Sequence, residues 1–410
     1  MPVYTTWRAV ILLALLPVLL PAQQPLMSGS PQPANVKFSF HPADPLNPQA
    51  FDHFYNMEYD RSVAEFTTIS QRHPDDPDAI NHLLNAVLFR ELYRIGALNA
   101  GEYANDSFLN TSHRPADTHV CDQIKSLVQK AQTIEDQRLD SNAKDVSAIY
   151  ARGVTRAQFA TYTALIEHAW FSALRNAVGA RHDHEKVLEL DPQNLDAKLI
   201  VGAHNYVVGS LPWGVKVASS MVGLGGNKEK GLDYLRSTAA GNTETSIDAK
   251  IVLAVFLRRE KRFDEALQFL KSLEPQYPHN VLFAIEEGNL LRAQSKNPQA
   301  EAIYRRVWQD GRAGKYAGLN YEISAIALGD LLRSEKNYIS AAAAFEQVAE
   351  IQKPDPETAQ KAALEAGEMY DLLAKRDMAL KKYQAVIAID SKSRSAEVAR
   401  KRLKEPYKGT

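Results

Sequence analysis

A single cysteine, Cys121, stands in 410 residues, so an intramolecular disulfide is excluded and packing alone must hold the fold. Neither sign of charge is in excess. With 48 Lys and Arg against 49 Asp and Glu, formal net charge is −1, and no global field draws the chain to nucleic acid or anionic lipid. Strand signals are scarce: few β-branched runs alternate strictly, and no Asn-Gly turn joins two such runs. After the N-terminus no stretch is apolar enough to cross a membrane.

Catalytic and cofactor signatures are missing too. No G-x-S-x-G elbow is present, and "GLGGNK" (Gly223 to Lys228) fits neither phosphate-loop pattern. Lys228 stands where a dinucleotide fingerprint needs its third glycine, and it precedes Glu229 rather than Ser or Thr. The glycines are expected to turn a corner in left-handed conformation, with Asn227 capping the next helix. "ARHDHEKVLEL" places His182, Asp183, His184 and Glu185 together, but a zinc-protease helix would need histidine at Leu188. No cofactor, metal or catalytic residue is assigned, and the chain is read as not an enzyme. The competing class is an enzyme or metal-dependent hydrolase among the N-terminal helices, with His182 and His184 as its handle.

What is there begins with "AVILLALLPVLL", an apolar run of 12 residues between Arg8 and a small residue, Ala22. That layout predicts a secretory signal peptide over 1–22, and hence a periplasmic or secreted mature chain with no transmembrane span. Residues 23–47 read as a proline-rich linker. Beyond it the apolar positions recur at helical period. Cys121 shares a face with Ile124, Val128 and Ala131, which predicts a buried thiol.

The C-terminal half repeats. Small residues in successive first helices are Ala254, Gly288, Gly329 and Gly367, separated by 34, 41 and 38 residues. Small residues opening the second helices are Ala266, Ala300, Ala341 and Ala379, with the same three steps. Four residues beyond each alanine stands Leu270, Tyr304, Phe345 or Tyr383. Two landmarks that keep step through insertions define a helix–turn–helix unit in which the small residue lets the large one in.

From Ser246 to Ile389 this pattern resembles the tetratricopeptide repeat, most closely in "GEMYDLLAKRDMALKKY" (Gly367 to Tyr383). The first-helix tryptophan is missing, as are two terminal prolines, at Trp308 and Ser391. Upstream, Ser62/Phe66, Gly153/Ala180/His184 and Gly202/Gly231/Leu235 fill the same slots with longer spacings. A further resemblance, over Leu195 to Asn280, is to the family of the fungal inclusion-body clearance protein and its animal tetratricopeptide relatives. It implies architecture and no activity. The fold expected is an all-α, right-handed helical-hairpin solenoid. Lengthened hairpins should occupy 48–245, near-standard repeats 246–390, and a capping helix and tail 391–410.

The resemblance implies that first helices line a groove that takes a protein or peptide partner. Four residues beyond the small landmark stand Arg258, Arg292 and Arg333; Asn289 and Asp330 follow the landmark directly. These five are the candidate partner-binding residues, facing an acidic extended segment rather than nucleic acid. An alternative assigns the arginines to the helix macrodipole, since they fall in last turns. The family's clamp for chaperone C-termini is absent, because Ile251, Ile285, Ile326 and Leu364 hold its lysine slot.

Overall fold

The computed structural model describes residues 40–98, 114–211 and 225–409. Among them stand seventeen α-helices and no β-strand. The predicted signal peptide, most of the linker, the polar loop from Asn99 and the segment 212–224 lie outside the described residues. The chain divides between Leu273 and Glu274 into two compact units.

The first unit holds α1 (Asn47–Tyr55), α2 (Tyr59–Arg72), α3 (Pro77–Arg94), α4 (Thr118–Ser141), α5 (Val146–Leu165), α6 (Trp170–Leu190), α7 (Ala197–Gly209), α8 (Lys228–Ala239), α9 (Ser246–Arg259) and α10 (Phe263–Leu273). The second holds α11 (Val281–Ala293), α12 (Asn297–Arg312), α13 (Ile323–Ser334), α14 (Tyr338–Glu346), α15 (Pro356–Leu372), α16 (Arg376–Ile389) and α17 (Arg394–Lys404). Within each unit every helix packs on its neighbour in sequence, and α3 also meets α5, α11 meets α13, and α13 meets α15.

Helix starts follow their capping residues. Asp76 accepts the Asp78 and Ala79 amides ahead of α3, with Pro77 in the first turn, where it gives up no helical hydrogen bond. Asp145, Asn227, Asn280, Asp355 and Ser393 do the same for α5, α8, α11, α15 and α17.

The small-and-large pairing is what holds each hairpin. A Cβ on Gly288 would overlap the buried Tyr304 ring, one on Gly329 the Phe345 ring, and one on Gly367 would fall 2.6 Å from Tyr383. In α5 and α6 the same slot holds Gly153 and His184, whose lengthened helices run 20 and 21 residues. Gly202 of α7 lies against Gly231 and Leu235 of α8.

A third landmark keeps the same register. Lys261, Ser295, Lys336 and Ala374 each sit at positive φ, 56 to 60°, at the turn between first and second helix. Two backbone bonds close each turn: in α13–α14, Lys336 N donates to Arg333 O and Asn337 N to Leu332 O, both at 2.9 Å. This is a left-handed helix stop made without glycine, which glycine would satisfy at lower cost.

Two expectations are corrected. Gly225 and Gly226 do not adopt the left-handed conformation. Gly226 is required by close approach instead, since a Cβ there would lie 2.6 Å from Val208 Cβ and 2.7 Å from the Gly209 nitrogen. Cys121 is half-exposed, not buried, although Ile124, Val128 and Ala131 are. It stands in the first turn of α4, where its thiol meets the Tyr162 hydroxyl rather than apolar core.

Candidate functional site

The five residues singled out in the sequence lie in both units. Arg258 is half-buried in the last turn of α9 in the first unit. The other four belong to the second and are already engaged. Asn289 accepts the Tyr304 hydroxyl at 2.8 Å and donates to Glu286 at 3.0 Å. Arg292 donates to the Asp330 carbonyl at 3.3 Å, across to the next first helix. Asp330 pairs with Arg333 at 2.7 Å, and Arg333 also pairs with Glu365 of α15. Further along, Glu368 takes Arg402 at 3.0 Å, while Asp371 takes Arg376 at 2.8 Å, the Tyr383 hydroxyl and the Tyr407 amide.

The stripe therefore alternates in sign and stitches successive first helices together. Glu365 shows the strain in it: burial pushes its carboxyl up to about 7, against the pull of Arg333. The arginines do occupy last turns, where a cation suits the dipole, and they also form inter-helix pairs.

A second constellation, in the first unit, was not read from the sequence. Asp78 and His82 of α3, Tyr150 of α5, Asp196 before α7, Glu244 before α9 and Asp248 in α9 converge. His82 Nε2 lies 2.6 Å from Glu244 Oε1, and the other Glu244 oxygen accepts the His41 amide at 3.3 Å. Asp196 accepts both the amide and the hydroxyl of Thr245, at 3.0 and 2.7 Å. Asp248 is within hydrogen-bonding reach of Tyr55.

Each carboxylate sits at or just before a helix start, where the free amides and the dipole favour negative charge. The Asp78 carboxylate nonetheless has no hydrogen-bond or ion-pair partner among the described residues, though the residue is only 8% exposed. The Tyr150 hydroxyl likewise has no hydrogen-bond partner among the described residues. No Lys or Arg among the described residues pairs with Asp78, Asp196 or Asp248.

The titration of these groups reflects that crowding. Burial, then Glu244, pushes Asp78 up to about 8, with His82 opposing. Burial raises Asp248 to about 7, with Glu244 and Asp196 adding to it and Tyr55 opposing. Burial opposes the charge on His82, but the Glu244 charge and hydrogen bond leave its pKa raised. The Tyr150 hydroxyl is held well above its ordinary value by burial and four carboxylates.

His184, the other handle seen in the sequence, is fully buried and packs edge-on against Tyr150, ring centroids 5.2 Å apart. Its Nδ1 donates to the Ala180 carbonyl at 2.8 Å, and burial lowers its pKa. It fills the inter-helix slot beside Gly153. Among the described residues no three His, Cys, Asp or Glu side chains stand close enough to hold one metal ion.

Solved proteins resemble this chain only distantly. A tetratricopeptide repeat protein from Parabacteroides merdae is similar over 88% of this chain and 96% of its own, at 11% identity and a TM-score of 0.29. By its own hairpin register, the fold is a tetratricopeptide-type hairpin array. The Cut9–Hcn1 assembly of APC/C is similar at 15% identity and a TM-score of 0.45; 89% of this chain matches, spanning 56% of that one. Human IFIT1, a dimer with m7Gppp-AAAA, matches 88% of this chain and 80% of its own, at 15% identity and 0.39. No family model and no curated protein matches the sequence. Likenesses this distant say nothing of partners, and the fold assignment rests on the hairpin register itself.

Proposed function

We propose that this protein is an exported, non-catalytic scaffold that binds a protein partner along the first-helix stripe of its repeats. Asn289, Arg292, Asp330 and Arg333 are the proposed contacts in the second unit, and Arg258 is proposed separately as a contact of the first. The observation that carries this reading is the register of polar and charged side chains along α11, α13 and α15, in which Arg292 and Arg333 each reach from one first helix to the next. A partner's acidic segment would exchange with Asp330 and Glu365 for Arg333. On a half-exposed surface such pairs contribute only ~0–1 kcal/mol, so the exchange is inexpensive. Export follows from the N-terminal apolar run, and the near-zero net charge argues against nucleic acid.

The experiment measures binding of the purified partner, and melting temperature, for Arg292→Ala and Arg333→Ala together with Arg258→Ala. Binding should weaken by roughly 1–3 kcal/mol per lost charged contact. A triple variant that loses stability but binds its partner normally would assign the arginines to the fold alone. RNA competing for the same surface would replace the protein partner with a nucleic acid.

A further inference from the structure

Away from both constellations, one buried hydroxyl oxygen stands among three acceptors. Glu135 of α4 and Thr155 of α5 are fully buried, and Asn81 of α3 nearly so. Thr155 Oγ1 lies 2.5 Å from Glu135 Oε1 and 2.7 Å from Asn81 Oδ1. Oxygens that close need a hydrogen between them. A hydroxyl supplies one, whereas an ionised carboxylate and an amide oxygen supply none. The Ala151 carbonyl, 3.1 Å from the same Oγ1, is a further acceptor. Turning the Asn81 amide over does not help, because its Nδ2 already donates to that carbonyl at 2.9 Å. The second hydrogen therefore belongs to Glu135. Its other oxygen, Oε2, is buried without a hydrogen-bond partner, which costs a neutral carbonyl far less than an anion.

We propose that Glu135 is a carboxylic acid in the folded chain, tying α3, α4 and α5 together through Thr155, and that loss of its proton loosens this junction as a pH-sensitive device. With the proton in place, Glu135 donates to Thr155 Oγ1 and Thr155 donates to Asn81 Oδ1. Gln158 of α5 adds a bond back to α3, from Nε2 to the Asn81 carbonyl at 3.2 Å. When the proton leaves to solvent, one hydrogen remains for two short contacts, and one of them turns repulsive. A buried anion then stands where the acid stood, and it must move towards water or draw in a cation.

The groups facing Glu135 fix the direction of the effect. Asp136 stands beside it on α4, and Arg152 and Arg156 of α5 flank Thr155. α3 presents the neutral Asn81, whose neighbour His82 is taken by Glu244. Both arginines are drawn away to Asp183 of α6, at 2.7 and 2.6 Å. Burial pushes the Glu135 carboxyl up to about 7, with Thr155, Arg152 and Arg156 opposing and Asp136 adding. An unfolded glutamate has lost its proton from about pH 4.3. Stability supplied by the neutral acid is therefore complete below that value and is lost as pH climbs to about 7.

Infrared spectroscopy of the full chain reads the proton directly. Subtracting the spectrum of Glu135→Gln at about pH 5.5 should leave a protonated-carboxyl C=O band, and this difference band should fade by about pH 8.5. Gln keeps the shape and offers Thr155 an N–H, so the variant holds the junction at every pH. Hydrogen exchange, corrected for its intrinsic base catalysis, should show the α4 and α5 amides opening at least about tenfold more at pH 8.5 than at 5.5. That rise should be missing in Glu135→Gln. Thr155→Val gives a second reading that does not need the Gln variant to fold. It should shift the acid's C=O band without abolishing it, because the acid keeps its proton and loses its acceptor. Any of three results would overturn the proposal: no difference band against a folded Glu135→Gln, the same pH response of exchange in both chains, or a band unmoved by Thr155→Val.

Discussion

His82 and Glu244 are 162 positions apart in the sequence and 2.6 Å apart in the fold, Nε2 to Oε1. The imidazole is wedged against Phe51 and Phe66, ring centroids 4.9 and 5.4 Å away, so little water reaches it. Its raised pKa makes a stability statement. The pair's contribution is fully present below the unfolded imidazole value and is lost as pH rises through the folded one. Glu244→Gln should bring the His82 titration down, seen by NMR of the imidazole. It should also destabilise the fold by roughly 1–3 kcal/mol at pH 6, because a buried partner is left unpaired. A His82 titration that does not move would show that Glu244 is not its partner in solution.

Asp78 and Asp248 work with the same sign. Both hold a proton in the fold that the unfolded chain has lost from about pH 4. Stability contributed by their neutral forms is present below that value and falls as pH rises towards about 7 for Asp248 and about 8 for Asp78. Asp78→Asn keeps the shape without the charge. It should leave stability nearly unchanged at pH 5 and raise it by about 1–2 kcal/mol at pH 8.5, on the order of a buried unpaired charge discounted for its contact with solvent. Urea denaturation at the two pH values measures this. Equal effects at both would mean Asp78 is ionised throughout.

The hairpin register can be tested in both directions. Gly329→Ala places a methyl group inside the Phe345 ring's space and should cost roughly 1–3 kcal/mol through overpacking. Ala374→Gly relieves a left-handed backbone at φ 56° and should stabilise by roughly 0.5–1 kcal/mol. Thermal denaturation of both single variants checks the signs. A neutral Gly329→Ala would remove the close-approach explanation for that glycine.

How far the sequence carried depended on whether the relevant contact was periodic. Gly288 with Tyr304, Gly329 with Phe345 and Gly367 with Tyr383 were legible because one geometry repeats at each step and leaves the same residue types behind. His184 in the slot beside Gly153 was legible for the same reason. The left-handed turn residues were not, although they keep identical steps. Lysine, serine and alanine stand where glycine would have signalled the turn. The stripe's positions were visible, but not that Arg333 is paired with Glu365, because that pair crosses between helices. The acidic constellation was invisible for a stronger reason. Asp78, Asp196 and Asp248 each look like ordinary helix-start acids, and only the packing of α3, α5, α7 and α9 brings them face to face.

Site-specific photocrosslinking from the first-helix stripe tests the central claim most directly. A photoreactive residue at Asn289 or Asp330 lies on the stripe, and one at Ala302, exposed on the second helix α12, lies off it. Expressed as the full chain with its N-terminal segment in its native cell, the two stripe variants should give the same discrete protein adduct, and the Ala302 variant should give none. The adduct should disappear when Arg292 and Arg333 are both replaced by alanine. Identical adducts from all three positions, or an adduct that survives loss of both arginines, would contradict a binding stripe on the first helices.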